Sequence, residues 1–281
     1  MTQQGVLFVV ATPIGNLGDI SARAIDCLKS VDMIACEDTR TSGKLLNYFN
    51  ISTKTIAYHD HNAEAQTERL IALLKQGHRI ALISDAGTPL ISDPGFRLVK
   101  ACHENTIKVS PIVGACAAMG ALSVAGLPSD KFLFFGFLPV KVTARQSQLQ
   151  ELKSLPMTLI FYEAPHRIVA CLEDMVTIFG AGRYACLCRE LTKTFETIRL
   201  DTLEGLLHFV KNDSNQQKGE IVLVVAGFKK LTQEINEHDA LLLTLAKELP
   251  IKKAASIASE LTGVKKNALY DRLLELKENN G

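Results

Sequence analysis

The sequence predicts an α/β fold made of two α/β domains, followed by a small helical segment. In the first half, short β-branched apolar runs alternate with amphipathic segments, which is typical of right-handed βαβ units on a mostly parallel sheet. The alternation is interrupted by Gly-Leu-Pro-Ser-Asp at 126–130 and then resumes, and the chain becomes polar after Gly227. The predicted boundaries are therefore 1–126 for the N-terminal domain, 127–230 for the second domain and 231–281 for the helical segment.

Apolar spacing places the elements of the N-terminal domain in order. Runs with strand character are four to six residues long, whereas the helical segments carry apolar residues three and four positions apart. Small apolar residues at 114–125 indicate a helix packed tightly against a neighbour. The predicted elements are a strand at 6–11, a helix at 20–28, strands at 33–36 and 79–84 with a helix at 63–76 between them, a helix at 96–104, a strand at 106–110 and the helix at 114–125.

The second domain shows the same two patterns. Cys186 and Cys188 lie two positions apart on one of its strands, so both side chains face the same side, where core packing is expected. The predicted elements are strands at 132–137, 157–162, 184–189 and 220–226, helices at 143–154, 165–178 and 202–211, an exposed polar loop at 212–218, and a helical tail from 237 to 278.

Composition excludes several classes of protein. The 281 residues contain no apolar run of about 18, and the first residues lack a basic segment, so neither a membrane span nor a signal peptide is expected. Seven scattered cysteines, an odd number, favour reduced thiols and a cytoplasmic location. The net charge is +1, so a polyanionic partner would have to be bound by a local patch.

The loop at 84–95 is the strongest candidate for a ligand site. It follows an apolar run expected to form a buried strand, and it contains two glycines and two prolines. Ligands of open α/β sheets bind at the carboxyl ends of strands. Asp85, Thr88 and Asp93 could direct polar groups toward a ligand there, although a capped turn leading into the next helix would need the same residue types.

The turn after the first strand lacks the motifs that bind phosphate groups. It contains Gly15 and Gly18 but no G-x-G-x-x-G, and the phosphate-binding G-x-x-x-x-G-K-[ST] is also absent. A pyrophosphate-containing nucleotide thus lacks its usual site, which argues against a nucleotide-dependent oxidoreductase. A ligand without phosphates, such as S-adenosylmethionine, could use the same loops.

Six motifs, in this order, resemble those of the tetrapyrrole-methylase-like superfamily, and most closely its branch that acts on ribosomal RNA. The resemblance covers about residues 5–228 and, more loosely, the tail. The motifs are Thr-Pro-Ile-Gly-Asn-Leu-Gly-Asp at 12–19, Glu-Asp-Thr-Arg at 37–40, Tyr-His-Asp-His-Asn at 58–62, the 84–95 loop, Tyr-Glu-Ala-Pro-His-Arg at 162–167 and Arg-Glu-Leu-Thr-Lys at 189–193.

This resemblance implies S-adenosylmethionine bound in a cleft between the two α/β domains. It also implies 2′-O-methylation of a cytidine in small-subunit rRNA, with the 30S subunit as partner, and we expect a homodimer. Members that modify tetrapyrroles carry a G-x-G-P-G-type turn where this chain has Pro13-Ile14-Gly15. A precorrin- or uroporphyrinogen-type substrate remains the alternative, and a non-enzymatic RNA-binding module based on the tail is a third hypothesis.

By position in these motifs, the resemblance also implies the cofactor contacts. One relatives' segment, Pro-Gly-x-Ser/Thr-Ala, here reads Val-Gly-Ala-Cys-Ala, so Cys116 replaces a hydroxyl. The expected cofactor-binding residues are Pro13, Ile14, Gly15, Asp85, Ala86, Gly87, Thr88, Ile91, Cys116, Ala117, Tyr162, Glu163, Leu191, Gly219 and Ile221, with Glu220 between the last two.

Charged residues within the motifs are the candidates for catalysis. A ribose hydroxyl is a weak nucleophile at neutral pH, so a nearby base would accelerate methyl transfer. The candidates are Glu37, Asp38, Asp85, Glu190 and Lys193, with Arg40 and Arg167 as phosphate or carboxylate clamps. Each could equally form a structural ion pair, and no metal site is predicted because the histidines lack a second cluster of ligands.

The tail permits two interpretations. The order helix, Gly263, helix is similar to a helix-turn-helix, and Lys252, Lys253, Lys265 and Lys266 could contact phosphates. Alternatively, its apolar residues bury the tail against its own domain or a second subunit. Those residues are Leu241, Leu242, Leu245, Ile257, Leu261 and Leu273.

Overall fold

Two five-stranded sheets and a helical tail make up the part of the chain described by the computed structural model, residues 5–228 and 238–278. The chain divides into two units. The first comprises Met1–Lys153 and Met157–Ala226 and holds both sheets; the second comprises Ser154–Pro156 and Gly227–Gly281 and holds the tail helices.

The first sheet is entirely parallel, with strand order β3-β2-β4-β1-β5. Alternate residues of its central strand face opposite sides: Ile80 and Leu82 pack with α3 and α4, while Ala81 and Ile83 pack with α1 and α2. Both faces are therefore covered, as parallel sheets require. The elements are β1 (Val6–Val10), α1 (Ala22–Ser30), β2 (Met33–Cys36), α2 (Thr39–Tyr48), β3 (Thr55–Ala57), α3 (Ala63–Lys75), β4 (Arg79–Ile83), α4 (Phe96–Glu104), β5 (Lys108–Ile112) and α5 (Ala117–Val124).

The strand order opens a crevice at the carboxyl ends of β1 and β4. These strands are neighbours, but β1 leads to β2 on one side and β4 leads to β5 on the other. The loops that follow β1 and β4 therefore leave the sheet in opposite directions. In open α/β sheets, ligands bind in the crevice between two such loops. A short antiparallel bridge ties the loops at their base: Thr12 N donates to Gly87 O (2.9 Å) and Gly87 N donates to Thr12 O (3.1 Å).

The second sheet is mixed, with order β6-β7-β10-β8-β9, in which only the β6–β7 pair is parallel. Helix α5 packs on one face of this sheet through Ala118, Ala121 and Leu122. The elements are β6 (Phe132–Phe137), α6 (Val142–Leu152), β7 (Thr158–Glu163), α7 (Ile168–Phe179), β8 (Tyr184–Arg189), β9 (Thr197–Thr202), α8 (Leu203–Asn212) and β10 (Ile221–Val225).

The tail consists of α9 (Asp239–Glu248), α10 (Ile251–Thr262) and α11 (Lys266–Glu278). These helices share a buried core that includes Leu242, Ala258 and Leu269. An ion pair between Arg272 and Asp239, 2.8 Å from Nη2 to Oδ2, connects the last helix to the first. Gly263 adopts a left-handed conformation (φ 76°) that ends α10.

The predicted fold class is confirmed, and the elements at 33–36, 96–104, 132–137 and 184–189 have the predicted bounds. The apolar patterns of the sequence predict no element at α2, β3 or β9. The 212–218 segment, predicted as an exposed loop, instead contains a 3₁₀ helix at Ser214–Gln217 in which Gln216 is buried and bonded to Arg189. No helix within the described ranges is long and apolar enough to cross a membrane.

Candidate functional site

A cavity of about 470 Å³ lies at the carboxyl ends of β1 and β4. The opposite wall comes from the second sheet, through the end of β7, the end of β8 and the start of β10. This volume falls within the range of small-molecule sites. The lining residues are Ile14, Glu37, Asp85, Ala86, Gly87, Thr88, Ile91, Ser92, Asp93, Cys116, Ala117, Phe137, Tyr162, Glu163, Ala164, Pro165, Cys188, Leu191, Gly219, Glu220, Ile221 and Val222.

The 84–95 loop holds an unusual backbone conformation over the cavity. Gly87 has φ 80°, and two residues with side chains, Leu90 (φ 73°) and Ser92 (φ 67°), are also left-handed. A left-handed conformation costs about 1–2 kcal/mol in a residue with a Cβ, and such strain is concentrated at functional sites. A simple connection between β4 and α4 would not need this strain, so the loop conformation is consistent with a functional site.

Hydrogen bonds fix this loop and the start of α5 to the rest of the cavity wall. Thr88 Oγ1 donates to Ala115 O (2.8 Å), and Ala118 N donates to the Tyr162 hydroxyl (3.1 Å). Burial raises the pKa of Tyr162, so this hydroxyl stays protonated. The two bonds connect the 84–95 loop, the N-terminus of α5 and β7, so the wall is built before any ligand arrives.

The cavity is strongly acidic. Of the described residues that line it, Glu37, Asp85, Asp93, Glu163 and Glu220 are acidic, and none is Lys or Arg. Burial, and then the neighbouring carboxylates of Asp85, Asp93 and Asp60, raise the pKa of Glu37. Burial likewise raises the pKa of Asp93. Such a site favours a ligand with positive charge.

Two of these acids, Glu163 and Glu220, already have a cationic partner within the protein, and that of Glu163 is the more deeply buried. The Glu163 carboxylate accepts from Ala164 N (2.8 Å) and lies 3.2 Å from Nε of Arg167. Arg167 also donates to Leu138 O (2.8 Å). Arg167, expected as a clamp for a ligand, thus holds a carboxylate and a carbonyl of the protein itself.

The segment Glu190 to Lys193 borders the cavity without opening into it, except at Leu191. Lys193 Nζ pairs with Glu190 Oε1 (2.8 Å) and Glu220 Oε2 (2.9 Å). Although burial opposes both shifts, these bonds lower the pKa of Glu190 and raise that of Lys193. A carboxylate with a lowered pKa and an ammonium with a raised one are both poor bases.

Most of the residues expected at the site do line the cavity. Asp38 instead caps α2 and pairs with the exposed Arg40 (2.8 Å), which holds the pKa of Asp38 at about 2. Gly15 lies against the Lys193 side chain and Pro13 is buried. The residues outside the cavity are Pro13, Gly15, Asp38, Arg40, Glu190 and Lys193; those inside are Ile14, Glu37, Asp85, Ala86, Gly87, Thr88, Ile91, Cys116, Ala117, Tyr162, Glu163, Leu191, Gly219 and Ile221.

Several residues of the cavity wall are not predicted by the sequence motifs. Phe137 ends β6 and packs edge-on against Tyr162, with ring centroids 5.6 Å apart. Cys188 and Val222 belong to strands predicted as core. Position at the end of a predicted strand could have indicated Phe137, but no signal in the sequence shows that a core strand borders a cavity. Within the described residues, no group of three or more His, Cys, Asp and Glu side chains could hold a metal ion.

Comparison with known families gives two matches. Residues 6–207 match the family model of tetrapyrrole (corrin/porphyrin) methylases. Residues 233–277 match the model of the RsmI C-terminal HTH domain. The first match spans most of both sheets, and the second supports the helix-turn-helix interpretation of the tail.

Curated relatives are similar over nearly their whole length. The chain is 53% identical over 274 residues to ribosomal RNA small subunit methyltransferase I of Escherichia coli O157:H7, covering 97% of this chain and 96% of the relative. The protein of the same name from Vibrio cholerae serotype O1 is 53% identical over 272 residues, covering 96% and 94%. Among solved structures, uroporphyrin-III-C-methyltransferase from Thermus thermophilus has a TM-score of 0.56 at 20% identity, over 79% of this chain and 94% of that one, which shows a shared fold.

Proposed function

Since the chain belongs to the ribosomal RNA small subunit methyltransferase I family of tetrapyrrole-type methylases, we propose that it methylates the ribose 2′-hydroxyl of a cytidine in 16S rRNA, using S-adenosylmethionine. Ribosomal subunits are the partner and the cytoplasm is the compartment. The observation that carries the proposal is the cavity, which joins both sheets and is lined by carboxylates without a single Lys or Arg among its described residues.

The charge of the cavity fits the proposed cofactor. S-adenosylmethionine carries a sulfonium and an ammonium against one carboxylate, so it is a net cation and is attracted to Glu37, Asp85 and Asp93. A dinucleotide would bring two phosphate charges to the same carboxylates. Bound there, the cofactor supplies an electrophilic methyl group.

Two glycines of the cavity wall leave backbone without a side chain beside the proposed ligand. Gly87 (φ 80°) and Gly219 (φ 78°) both need the left-handed conformation, and a Cβ at Gly219 would collide with the Glu190 carboxylate. Apolar side chains of Ile14, Ile91 and Leu191 supply the surface that an adenosine ring needs. The residues present therefore fit S-adenosylmethionine.

Calorimetric titration separates the two cofactor classes. We expect S-adenosylhomocysteine to bind and NAD to give no heat of binding. Binding of NAD without a response to S-adenosylhomocysteine would contradict the cofactor assignment.

Among the candidate bases, Glu37 is favoured. It lines the cavity and its pKa is raised, so its carboxylate accepts a proton more readily than an ordinary glutamate. Glu190 and Lys193 are committed to each other and to Glu220, and Asp38 caps α2. Holding the acceptor oxygen in line with the methyl group would contribute the larger part of the rate enhancement.

The tetrapyrrole alternative shares the fold but has weaker support. The similarity to a uroporphyrin methyltransferase is 20% identity, whereas the relatives named for ribosomal RNA reach 53% over nearly the full chain. The turn at Pro13-Ile14-Gly15 also departs from the G-x-G-P-G pattern of tetrapyrrole enzymes.

Labelled methyl transfer tests the reaction directly. 30S subunits from a strain lacking this activity are incubated with methyl-labelled cofactor, and alkali-resistant linkages are then mapped. We expect one resistant linkage, 3′ of a cytidine, that is absent with heat-inactivated protein. Free 16S rRNA in a parallel reaction shows whether the assembled subunit is needed. No incorporation into either RNA, together with methylation of uroporphyrinogen, would favour the tetrapyrrole alternative.

The homodimer is also part of the proposal, supported by an exposed apolar surface. Edge strand β9 leaves Ile198 and Leu200 40% and 47% exposed on the sheet face that carries α5, and α5 leaves Met119 and Val124 similarly exposed. Patches of this kind mark protein interfaces. Sedimentation equilibrium should show a dimer that Leu200→Asp converts to a monomer; a monomeric parent protein would contradict it.

A further inference from the structure

A second, smaller cavity of about 140 Å³ lies beside the first, and none of the expected cofactor-binding residues lines it. Asp93 belongs to the walls of both cavities. The smaller cavity is formed where the end of the 84–95 loop and the start of α4 face the segment after β3. Its lining residues are Tyr58, Asp60, Ala63, Asp93, Pro94, Gly95, Phe96 and Arg97.

Three side chains of the smaller cavity, those of Asp60, Phe96 and Arg97, are exposed and available to a ligand. Phe96 is 68% exposed, which is unusual for a large aromatic residue. Arg97 and Asp60 are exposed, and within the described residues neither side chain makes a hydrogen bond or an ion pair. Arg40, Arg167 and Lys193, by contrast, are each paired with a carboxylate.

The three exposed side chains match the chemistry of a pyrimidine with an amino group. Cytosine presents the N4 amino donor beside the N3 and O2 acceptors, and a carboxylate is the characteristic acceptor for N4. A guanidinium can donate to O2 or N3, and an aromatic ring can stack on an unpaired base. Uracil has an acceptor, O4, where cytosine has N4, so it would face the carboxylate unfavourably.

We propose, resting on the proposed function, that the smaller cavity binds the cytosine base of the acceptor nucleotide. Asp60 accepts from N4, Arg97 donates to the opposite edge of the base and Phe96 stacks on its face. The ribose of the same nucleotide then lies beside Asp93, where the two cavities meet, and its 2′-hydroxyl faces the methyl donor.

Two further observations agree with this placement. The small cavity has less than a third of the volume of the large one, which favours a single-ring base. Glu37 and Asp93 both line the large cavity, and Asp93 also lines the small one, so the proposed catalytic base belongs to the cavity that adjoins the proposed ribose site. The nucleotide must be unpaired to enter, as is usual for sequence-specific RNA recognition.

Steady-state methylation of 30S subunits by Phe96→Ala and Arg97→Ala tests the site. We expect kcat/KM to fall about 10-fold or more in each, with the affinity for S-adenosylhomocysteine unchanged. Arg69→Ala is the matched control, because Arg69 is also an exposed arginine without a hydrogen bond or ion pair in the described residues, but it lies on α3 away from the cavity lining. Both variants should melt within a few degrees of the parent, since their side chains are exposed.

Base discrimination provides the readout that a merely structural role would not alter. Subunits carrying uridine in place of the target cytidine should be poor substrates for the parent protein. Asp60→Asn should reduce the cytidine-to-uridine ratio of kcat/KM about 10-fold, because an amide can donate to O4.

Different results would contradict the proposed function and the proposed base site. A parent protein that does not methylate 30S subunits contradicts the proposed function. An active parent whose Phe96 and Arg97 variants are equally active, or an Asp60→Asn variant with an unchanged ratio, overturns the base site alone.

Discussion

Three glutamates in and beside the large cavity differ in how their charge is balanced, and two of them in pKa, because their surroundings differ. Glu163 is buried and neutralised by Arg167, so it supports the wall. Glu190 is bonded to Lys193 and has a lowered pKa, whereas the half-buried Glu37 has a raised pKa because of its partial burial and the carboxylates near it. Glu37 is therefore the acid whose environment suits proton transfer.

The pH dependence of methylation should report the state of Glu37. A base must be deprotonated, so kcat/KM should rise with pH through the raised pKa of Glu37 and then level off. Glu37→Gln should lower the rate by roughly 10²–10⁴-fold and remove this rise. Asp60→Asn takes away one neighbouring negative charge, so the pKa of Glu37 falls and the rise moves to lower pH. A Glu37→Gln profile that keeps the same rise would show that another group titrates.

Gly219 should matter for the cofactor as well as for the fold. Gly219→Ala forces a side chain into a left-handed conformation and into the Glu190 carboxylate. We expect about 1–2 kcal/mol of lost stability from the backbone alone, and at least about 10-fold weaker binding of S-adenosylhomocysteine.

Gly180→Ala is the matched control for this substitution. Gly180 also has a positive φ (97°), but a Cβ there would meet no atom within 4 Å. Denaturant unfolding should show the backbone cost in both variants, with a further loss in Gly219→Ala from the collision with Glu190, while calorimetry should show weaker binding only for Gly219→Ala. Equal binding by both would mean that the Gly219 wall does not touch the cofactor.

At the scale of elements, the predictable parts of the fold were those with a complete apolar pattern. β4 is buried along nearly its whole length and was recognised, whereas β3 has three half-buried residues at a sheet edge and gave no clear signal. β9 is also an edge strand, and none of the six residues in its Thr-Ile-Arg-Leu-Asp-Thr sequence is buried. These two edge strands bury too little apolar surface to impose a pattern on the sequence, whereas edge strand β6, Phe-Leu-Phe-Phe-Gly-Phe, is apolar throughout and was recognised.

The candidate site, too, could be predicted from the sequence only in part. Loops with Gly and Pro after a predicted strand can be recognised locally, and Gly87 and Thr88 of the 84–95 loop line the cavity. Asp38 and Lys193 belong to the same motifs, yet their side chains turn to other partners. A motif indicates which segment approaches the cavity, but the direction of each side chain depends on tertiary contacts that the spacing does not encode.

Helix α2 was missed because its first turn, Thr39-Arg40-Thr41-Ser42-Gly43, has low helix propensity. Its N-cap supplies part of the missing stability: Asp38 Oδ1 accepts from Arg40 N at 2.8 Å. Asp38→Ala should cost about 0.5–2 kcal/mol in denaturant unfolding, and Asp38→Asn, which keeps the cap, much less. If Asp38→Asn kept its stability but lost 100-fold in methylation, Asp38 would belong to the chemistry and not to the cap.

At the scale of the whole molecule, charge is distributed unevenly. The net charge of the chain is only +1, and the large cavity is acidic, yet the proposed substrate is a polyanion. The phosphates must therefore meet local groups of cations elsewhere. In the tail unit, Lys252, Lys253, Lys265 and Lys266 are exposed, and none of them makes a hydrogen bond or ion pair through its side chain in the described residues.

The tail has a hydrophobic core of its own, and this core accounts for the burial of most of its apolar residues. Leu242 and Leu273 are buried within the three-helix cluster, and Leu241 and Leu245 pack against it. Leu261, in contrast, is 68% exposed. Burial of most of these residues is thus explained by packing among α9, α10 and α11, which leaves the lysines of the same helices available to a partner.

Replacement of all four tail lysines by alanine should flatten the salt dependence of 30S binding. Each phosphate contact contributes about 0.7–0.9 to the slope of log affinity against log salt, so the loss of four should reduce the slope by about 3. Affinity for S-adenosylhomocysteine should not change, because the cavity is lined by residues of the first unit alone. The matched control replaces four exposed lysines of the first unit and changes the net charge equally, so it separates a local contact from a general loss of positive charge. Those lysines are Lys29, Lys75, Lys108 and Lys131. A steep slope retained by the tail variant, or an equal reduction in both variants, would show that the tail lysines do not contact rRNA phosphates.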